Sequence, residues 1–390
     1  MKNFLFIAAL SFSGAAFAEK AQILDILNKY NAVSLEAEGV HLDVEPIFDR
    51  LEMRYDSDFE FQKREVTLRV APNTFSEFKA KSKIRELNKK KATLDQAMIG
   101  ASYKKVILKN IVDIEISRKK IVLIEKQLET LEKVKKAYEL NMNLASKEQS
   151  QYIDTLFKID SSRKHAENLK KIIQIKLTQL NNVSGTNFTS QDELPKIISI
   201  TGVKGNLERL KLSKENAQLG LLKIESDLQK HSYDLISKEN NSLFSFVEFS
   251  REMGIEEVTQ FKVGFTLPFG VSSSNREVFA SAYENTRLKA KLNFADNQVS
   301  SEKKEKLLEV ESLISDIDNM SDSEVSQALN KHMKIAKATK AQNPLSYLKL
   351  TLLDNAKKIE TLSLEKEVFH KYFDLAYEVD PANDKLVIEN

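Results

Sequence analysis

Proline occurs at only six positions in this 390-residue chain: Pro46, Pro72, Pro195, Pro268, Pro344 and Pro381. None lies between Asn73 and Leu194, or between Phe269 and Asn343. A proline inside a helix removes a backbone donor and clashes with the preceding turn. The two proline-free blocks can therefore hold helices far longer than the globular mean of about 11 residues. A helix from Phe75 to about Leu144 would extend roughly 100 Å at about 1.5 Å per residue.

Apolar spacing fills these blocks with a helical pattern. Ile107, Ile114, Ile121 and Leu128 recur every seven residues, with Ile111, Ile124, Leu131 and Tyr138 between them. Ile159, Ala166, Ile173 and Leu180 repeat the pattern, as do Leu345, Leu352, Ile359 and Phe373, interleaved with Leu348, Leu362 and Phe369. Leu288, Leu292, Ala295 and Val299 step by four, three and four. A narrow stripe sustained this way is a coiled-coil seam.

Two stretches change period. In the first, Leu51, Met53 and Tyr55 alternate with Glu52, Arg54 and Asp56, and Val66, Leu68 and Val70 alternate with Glu65, Thr67 and Arg69. In the second, Phe244 and Phe246 are followed, after a turn near Gly254, by Phe261, Val263, Phe265 and Leu267. Alternation of aromatic and branched residues predicts strands, and each stretch predicts a hairpin. Glu248 falls on the Phe244–Phe246 side of this pattern, so it lies near an interface or a bulge turns it inward.

The order hairpin, long helix, turn, helix then occurs twice. Pro72 and Pro268 close the two hairpins 196 residues apart, and the turn at Ser150–Asp154 corresponds to that at Leu345–Lys349 at an offset of 195. The predicted layout is a first repeat over 19–200, with a short helix, a β-hairpin at about 49–71 and a helical hairpin at about 75–184. A second repeat covers 201–380, with a helix at about 205–238, a β-hairpin at about 242–268 and a helical hairpin at about 274–378. A tail, 381–390, follows.

The first residues, Met1-Lys2-Asn3, an apolar run from Phe4 to Phe12 and Ala16-Phe17-Ala18, predict a secretory signal peptide over 1–18. There is no cysteine, so disulfides, thiolate metal sites and a lipid-bearing cysteine are excluded. Beyond the leader no run approaches the roughly 20 apolar residues of a membrane helix; contact with a bilayer would be through strands, which lipid tolerates only in closed barrels. The 59 basic and 57 acidic residues nearly cancel, which gives no global field for nucleic acid. The five histidines, His41, His165, His231, His332 and His370, form no metal-binding pattern, and no nucleophile elbow or phosphate loop is present. Ser272-Ser273-Ser274 reads as a helix cap. No catalytic residue, cofactor or metal is predicted.

Several segments carry a family resemblance. Val263-Gly264-Phe265-Thr266-Leu267-Pro268-Phe269 is similar to the strand ending in Leu-Pro-aromatic that precedes a long helix in the TolC-like outer-membrane factors. Leu180-Asn181-Asn182-Val183-Ser184-Gly185 resembles that family's hairpin-ending Leu-x-x-Leu-x-Gly, and Tyr138 to Leu156 resembles its helical tip. The resemblance implies a mainly α fold with a small β part, four strands and long helices per protomer, in a homotrimeric α/β barrel. It implies a passive outer-membrane channel of a tripartite efflux or type I secretion system, extending into the periplasm and working with a periplasmic adaptor and an inner-membrane pump. The strand positions Met53, Tyr55, Val66, Leu68, Val70, Phe244, Phe246, Phe261, Val263, Phe265 and Leu267 would meet outer-membrane lipid. Ser146, Lys147, Glu148, Gln151, Asp154, Asn343, Ser346 and Lys349 would form the periplasmic tip or gate. Lys349 departs from the acidic residue common in the family, so a mixed-charge tip is expected, with Asp154 and Lys349 placed to pair. The alternative reading is a periplasmic coiled-coil adaptor or scaffold with no conducting pore.

Overall fold

The computed structural model describes residues 26–27, 48–57, 64–72, 75–141, 146–213, 216–240, 244–253, 258–265, 273–340 and 343–388. The leader, nearly all of the opening segment 19–45, Leu267 and Ser272 lie outside the described residues. The chain is mainly helical, with one small antiparallel sheet. It divides into two compact units, one of Met1–Val33, Ala97–Asn216 and Ser300–Asn390, the other of Ser34–Gln96 and Ala217–Val299.

The second unit holds the sheet. Strands β1 (Phe48–Ser57), β2 (Arg64–Pro72), β3 (Phe244–Met253) and β4 (Val258–Phe265) pair antiparallel in the order β1-β2-β3-β4. Helix α1 (Phe75–Asn141) starts in this unit, and α4 (Ala217–Asn240) and the start of α5 (Ser273–Asp322) belong to it. Lys91 on α1 meets Glu225 on α4 at 2.8 Å, and Gln229 on α4 donates to Ser281 on α5 at 3.3 Å.

The first unit is a helical bundle. It contains most of α1, then α2 (Ser146–Ser184), α3 (Ile200–Leu212), the remainder of α5, α6 (Glu324–Ala338) and α7 (Pro344–Val379). The heptad positions pack as a seam: Ile107, Ile111 and Ile114 of α1 join Ile173, Leu177 and Leu180 of α2 and Phe369 and Phe373 of α7 in one core. A smaller cluster of Ile124, Ala166 and Leu169 continues it, with Ile359 packed against it. Lys109–Asp374 and Lys120–Ser363 contacts, at 2.8 and 2.6 Å, run α1 antiparallel to α7.

Local signals set the helix ends. α2 stops at Gly185, whose φ of +66° lies in the left-handed region open to glycine. Asn181 secures that turn by donating to Phe188 O and accepting from Phe188 N, both at 2.8 Å. Two predicted helices are split. The stretch 205–238 is α3 and α4, parted after Leu212, and the second hairpin is interrupted at Ser323, whose hydroxyl accepts from Ser326 N at 3.2 Å and caps α6. A capping serine competes with the helix for its own backbone, which the apolar spacing does not register.

The end of the chain is part of the bundle. Leu386, Val387 and Ile388 are buried in the core, and Ile198 N donates to Val387 O at 3.1 Å. Lys104 of α1 is fully buried and donates to both oxygens of Asp384 at 2.8 and 2.9 Å, while Tyr377 OH donates to Asp384 Oδ1 at 2.9 Å. Asn206 on α3 donates to Leu386 O and to Tyr372 OH, each at 3.1 Å.

Candidate functional site

The register of the sheet sorts its residues into two faces. Directly opposed residues share a face, so three rows alternate on one side: Leu51–Val70–Val247–Val263, Met53–Leu68–Phe249–Phe261 and Tyr55–Val66–Arg251–Thr259. On the other side run Glu52–Arg69–Glu248–Lys262, Arg54–Thr67–Ser250–Gln260 and Asp56–Glu65–Glu252–Val258. Within these rows one face is apolar apart from Arg251 and Thr259, and the other is polar or charged apart from Val258; the first continues into Ser57–Arg64–Met253 and the second into Arg50–Ala71 and Phe246–Gly264. The apolar face is bare within one copy: Leu51, Met53 and Tyr55 are 65, 76 and 57% exposed. A sheet burying an apolar face within its own chain would not leave it so.

These rows place the predicted strand residues. Met53, Tyr55, Val66, Leu68, Val70, Phe261 and Val263 occupy the apolar face. Phe246, opposite Gly264, takes a register position on the same side as Glu248 and so does not join the predicted apolar positions; the shift between Phe244 and Phe246 removes only Phe244 from that alternation. Glu248 stands in the charged row between Arg69 and Lys262, with Lys262 Nζ at 3.3 Å. Phe265 is opposite Phe244. Sequence reasoning passed over Val247 and Phe249, which complete the apolar rows; their alternation with Glu248 and Ser250 was the available signal. A matching shift lies between Phe48 and Arg50, at the start of β1.

At the helical tip, in the bundle unit, Ser146, Lys147 and Glu148 are the first backbone positions of α2. Gln151 is half-buried and Asp154 exposed. The expected pairing of Asp154 with Lys349 does not occur. Asp154 binds Lys158, one turn along its own helix, at 2.6 Å, and Lys349 Nζ lies 5.6 Å from the centre of the Tyr138 ring. The nearer partner is fixed by helix geometry, and an aromatic face offers the lysine a second electrostatic site. Asn343 caps α7, its Oδ1 accepting from Ser346 N at 3.2 Å, with Pro344 in the first turn. Tyr152 OH donates to Glu139 at 3.2 Å, bridging α1 and α2.

Higher in the bundle, α1, α2 and α7 meet at Asp113. Its Oδ1 lies 2.8 Å from Lys366 Nζ and 3.1 Å from His370 Nε2, and its Oδ2 lies 3.1 Å from Lys176 Nζ. Burial pushes the Asp113 carboxyl up, but His370 and Lys366 together outweigh it and hold it well below the usual carboxylate range. Lys120, nearby on α1, is pushed down by burial and by Lys366. Only the tertiary packing assembles this node; its trace in sequence is a charge inside the apolar run Ile111-Val112-Asp113-Ile114.

Because Asp113 is depressed in the folded state, its contribution is complete above the unfolded aspartate pKa of about 4 and is lost as pH falls below it. Asp113→Asn should therefore lower stability at pH 7 by about 1.5–3 kcal/mol. In denaturant titrations the gap to the wild type should narrow toward pH 3.

A groove of about 620 Å³ beside α1 is lined by Ile111, Ile116, Leu194, Ile197, Phe369 and Glu365, among others. Burial pushes the Glu365 carboxyl up, with Lys119 acting in the opposite sense. Among the described residues no group of three or more His, Asp or Glu side chains could hold a metal ion, and no helix is long and apolar enough to cross a membrane.

Neither a protein-family model nor a curated protein sequence matches the chain. Solved structures do resemble it. The open state of the MtrE outer membrane channel of Neisseria gonorrhoeae superimposes with a TM-score of 0.62 at 11% identity, over 94% of this chain and 84% of that one. CusC, described by its conformational changes on folding and transmembrane channel formation, gives 0.61 at 10% identity over 94 and 88%. The outer membrane protein VceC of Vibrio cholerae gives 0.61 at 12% identity over 94 and 92%. The fold of this chain is therefore that of the TolC-like outer-membrane channels.

Proposed function

We propose that the protein is a passive outer-membrane export duct, a homotrimer in which each copy donates four strands to one barrel and its helices to one periplasmic conduit. The observation that carries this reading is the two-faced sheet with open edges. Its apolar rows suit lipid and its charged rows suit a water-filled lumen, the alternation found in outer-membrane barrels. Strands of 10, 9, 10 and 8 residues are close to the 9–11 that cross a bilayer when tilted. Four strands cannot close alone, since the smallest such barrels use about eight. The similarly placed register shifts at the starts of β1 and β3 support two structural repeats per copy.

Solute would pass without covalent chemistry, energy coming from an inner-membrane pump through a periplasmic adaptor. This suits tripartite efflux or type I secretion, with the leader directing export. The tip positions Ser146, Lys147, Glu148, Gln151, Asp154, Asn343, Ser346 and Lys349 would form the gate. A scaffold or adaptor without a pore fits the coiled coils but gives no role to a bare apolar sheet face.

The test is recovery and conductance. The protein should stay with membranes until detergent is added, run as a heat-sensitive trimer, and form stepwise conductances in planar bilayers. The polar face carries five carboxylates, Glu52, Asp56, Glu65, Glu248 and Glu252, against Arg50, Arg54, Arg69 and Lys262. Reversal potentials in a salt gradient should accordingly show mild cation preference. Recovery as a soluble periplasmic protein without conductance would reject the duct in favour of the scaffold.

A further inference from the structure

Resting on the duct reading, we propose that β4 of one copy pairs antiparallel with β1 of the next in a staggered register that seats Lys262 against Asp56. β1 and β4 are the outer strands of the sheet, and their free edges are templates for another strand. A second copy is the occupant because the surface repeats its own pattern across the junction. Continuing the apolar face requires odd-numbered residues of β4 to oppose odd-numbered residues of β1; a slip of one residue would turn the face over. Lys262, on the charged face, must then meet an even-numbered residue of β1, and the charged ones are Arg50, Glu52, Arg54 and Asp56.

Charge removes Arg50 and Arg54, since like charges opposed across strands are destabilising. Closure removes Glu52. A barrel must tilt its strands, so a row followed around it cannot return to the residue it left. For twelve strands about 4.8 Å apart, a shift of about four residues at each of three junctions gives a tilt of roughly 35°, within the range barrels adopt. A shift of that size toward the hairpin turn brings Lys262 to Asp56 and Val263 to Tyr55. Arg54 then faces Gly264, which brings no like charge. The opposite shift places Lys262 beside Phe48 and leaves Met53 and Tyr55 without partners on β4.

The charges agree with this placement. Glu52, Arg69, Glu248 and Lys262 already alternate in sign across the sheet, so a carboxylate is the next member in sequence. Lys262 is half-exposed with Glu248 on one side, and Asp56 is exposed with no ion-pair partner among the described residues.

The chain has no cysteine, so engineered pairs report register cleanly. In oxidised membranes Tyr55→Cys combined with Val263→Cys should give covalent dimers and trimers on denaturing gels. Leu51→Cys with Val263→Cys, the unstaggered register, should give few, and each single cysteine none. Efficient linkage of the Leu51 pair, or none by the Tyr55 pair in trimers that still form, would overturn the inference and leave the duct intact. A second measurement uses charge. Lys262→Glu should lower the temperature at which the trimer dissociates by several degrees, and adding Asp56→Lys should recover most of it. Unchanged heat resistance in Lys262→Glu would also overturn the inference. A wild-type protein that forms no membrane trimer would reject the duct itself.

Discussion

Leu68→Arg is expected to prevent most of the protein from assembling in the outer membrane. Leu68 sits on an inner strand, between Met53 of β1 and Phe249 of β3, in the middle apolar row. An arginine facing lipid near the bilayer midplane costs about 2–4 kcal/mol. In the proposed trimer that cost applies once per copy. The control is Gln260→Arg, which puts the same charge on the polar face in the adjacent row, where water would solvate it. Quantitative recovery of heat-sensitive trimers from membranes checks the contrast. The prediction requires the two substitutions to differ strongly; equal recovery would mean that the apolar rows do not face lipid.

The second large effect lies at the chain's end. Asp384→Asn should destabilise the protein by about 3–5 kcal/mol, the usual consequence of removing one partner of a buried ion pair. Lys104 is completely buried, and the substitution leaves its ammonium without the carboxylate that balances it. The Tyr377 hydroxyl points at the same carboxylate, and burial together with the Asp384 charge pushes that phenol far above its usual range, so it remains a donor. Adding Lys104→Met should recover much of the loss, because a buried uncompensated charge costs more than an apolar side chain of similar length. Denaturant unfolding of the single and double variants measures both. A double variant no more stable than Asp384→Asn would show that the uncompensated Lys104 charge is not the source of the loss.

The helical tip tempers how far charge reading can go. Asp154 and Lys349 carry opposite charges at corresponding turns, yet each has a closer partner, one through helix periodicity and one through an aromatic ring. Single-copy geometry therefore removes the particular contact that charge alone suggested.

The sequence by itself determined the periodic features. Missing prolines and seven-residue stripes specify α1, α2 and the seam of α7, because helix geometry repeats every turn and needs only neighbours in the chain. Alternation specified the four strands for the same reason. Tertiary structure decided what depends on partners distant in sequence. Which strand residues share a face was settled by the register shifts near Phe48 and Phe244, and a single added residue inverts everything before it. Lys104 meets Asp384 across 280 residues, and Lys176, Lys366 and His370 converge on Asp113 from two other helices. No local pattern encodes such meetings; they arise only when the apolar seams bring the helices side by side and the remaining buried charges must find one another.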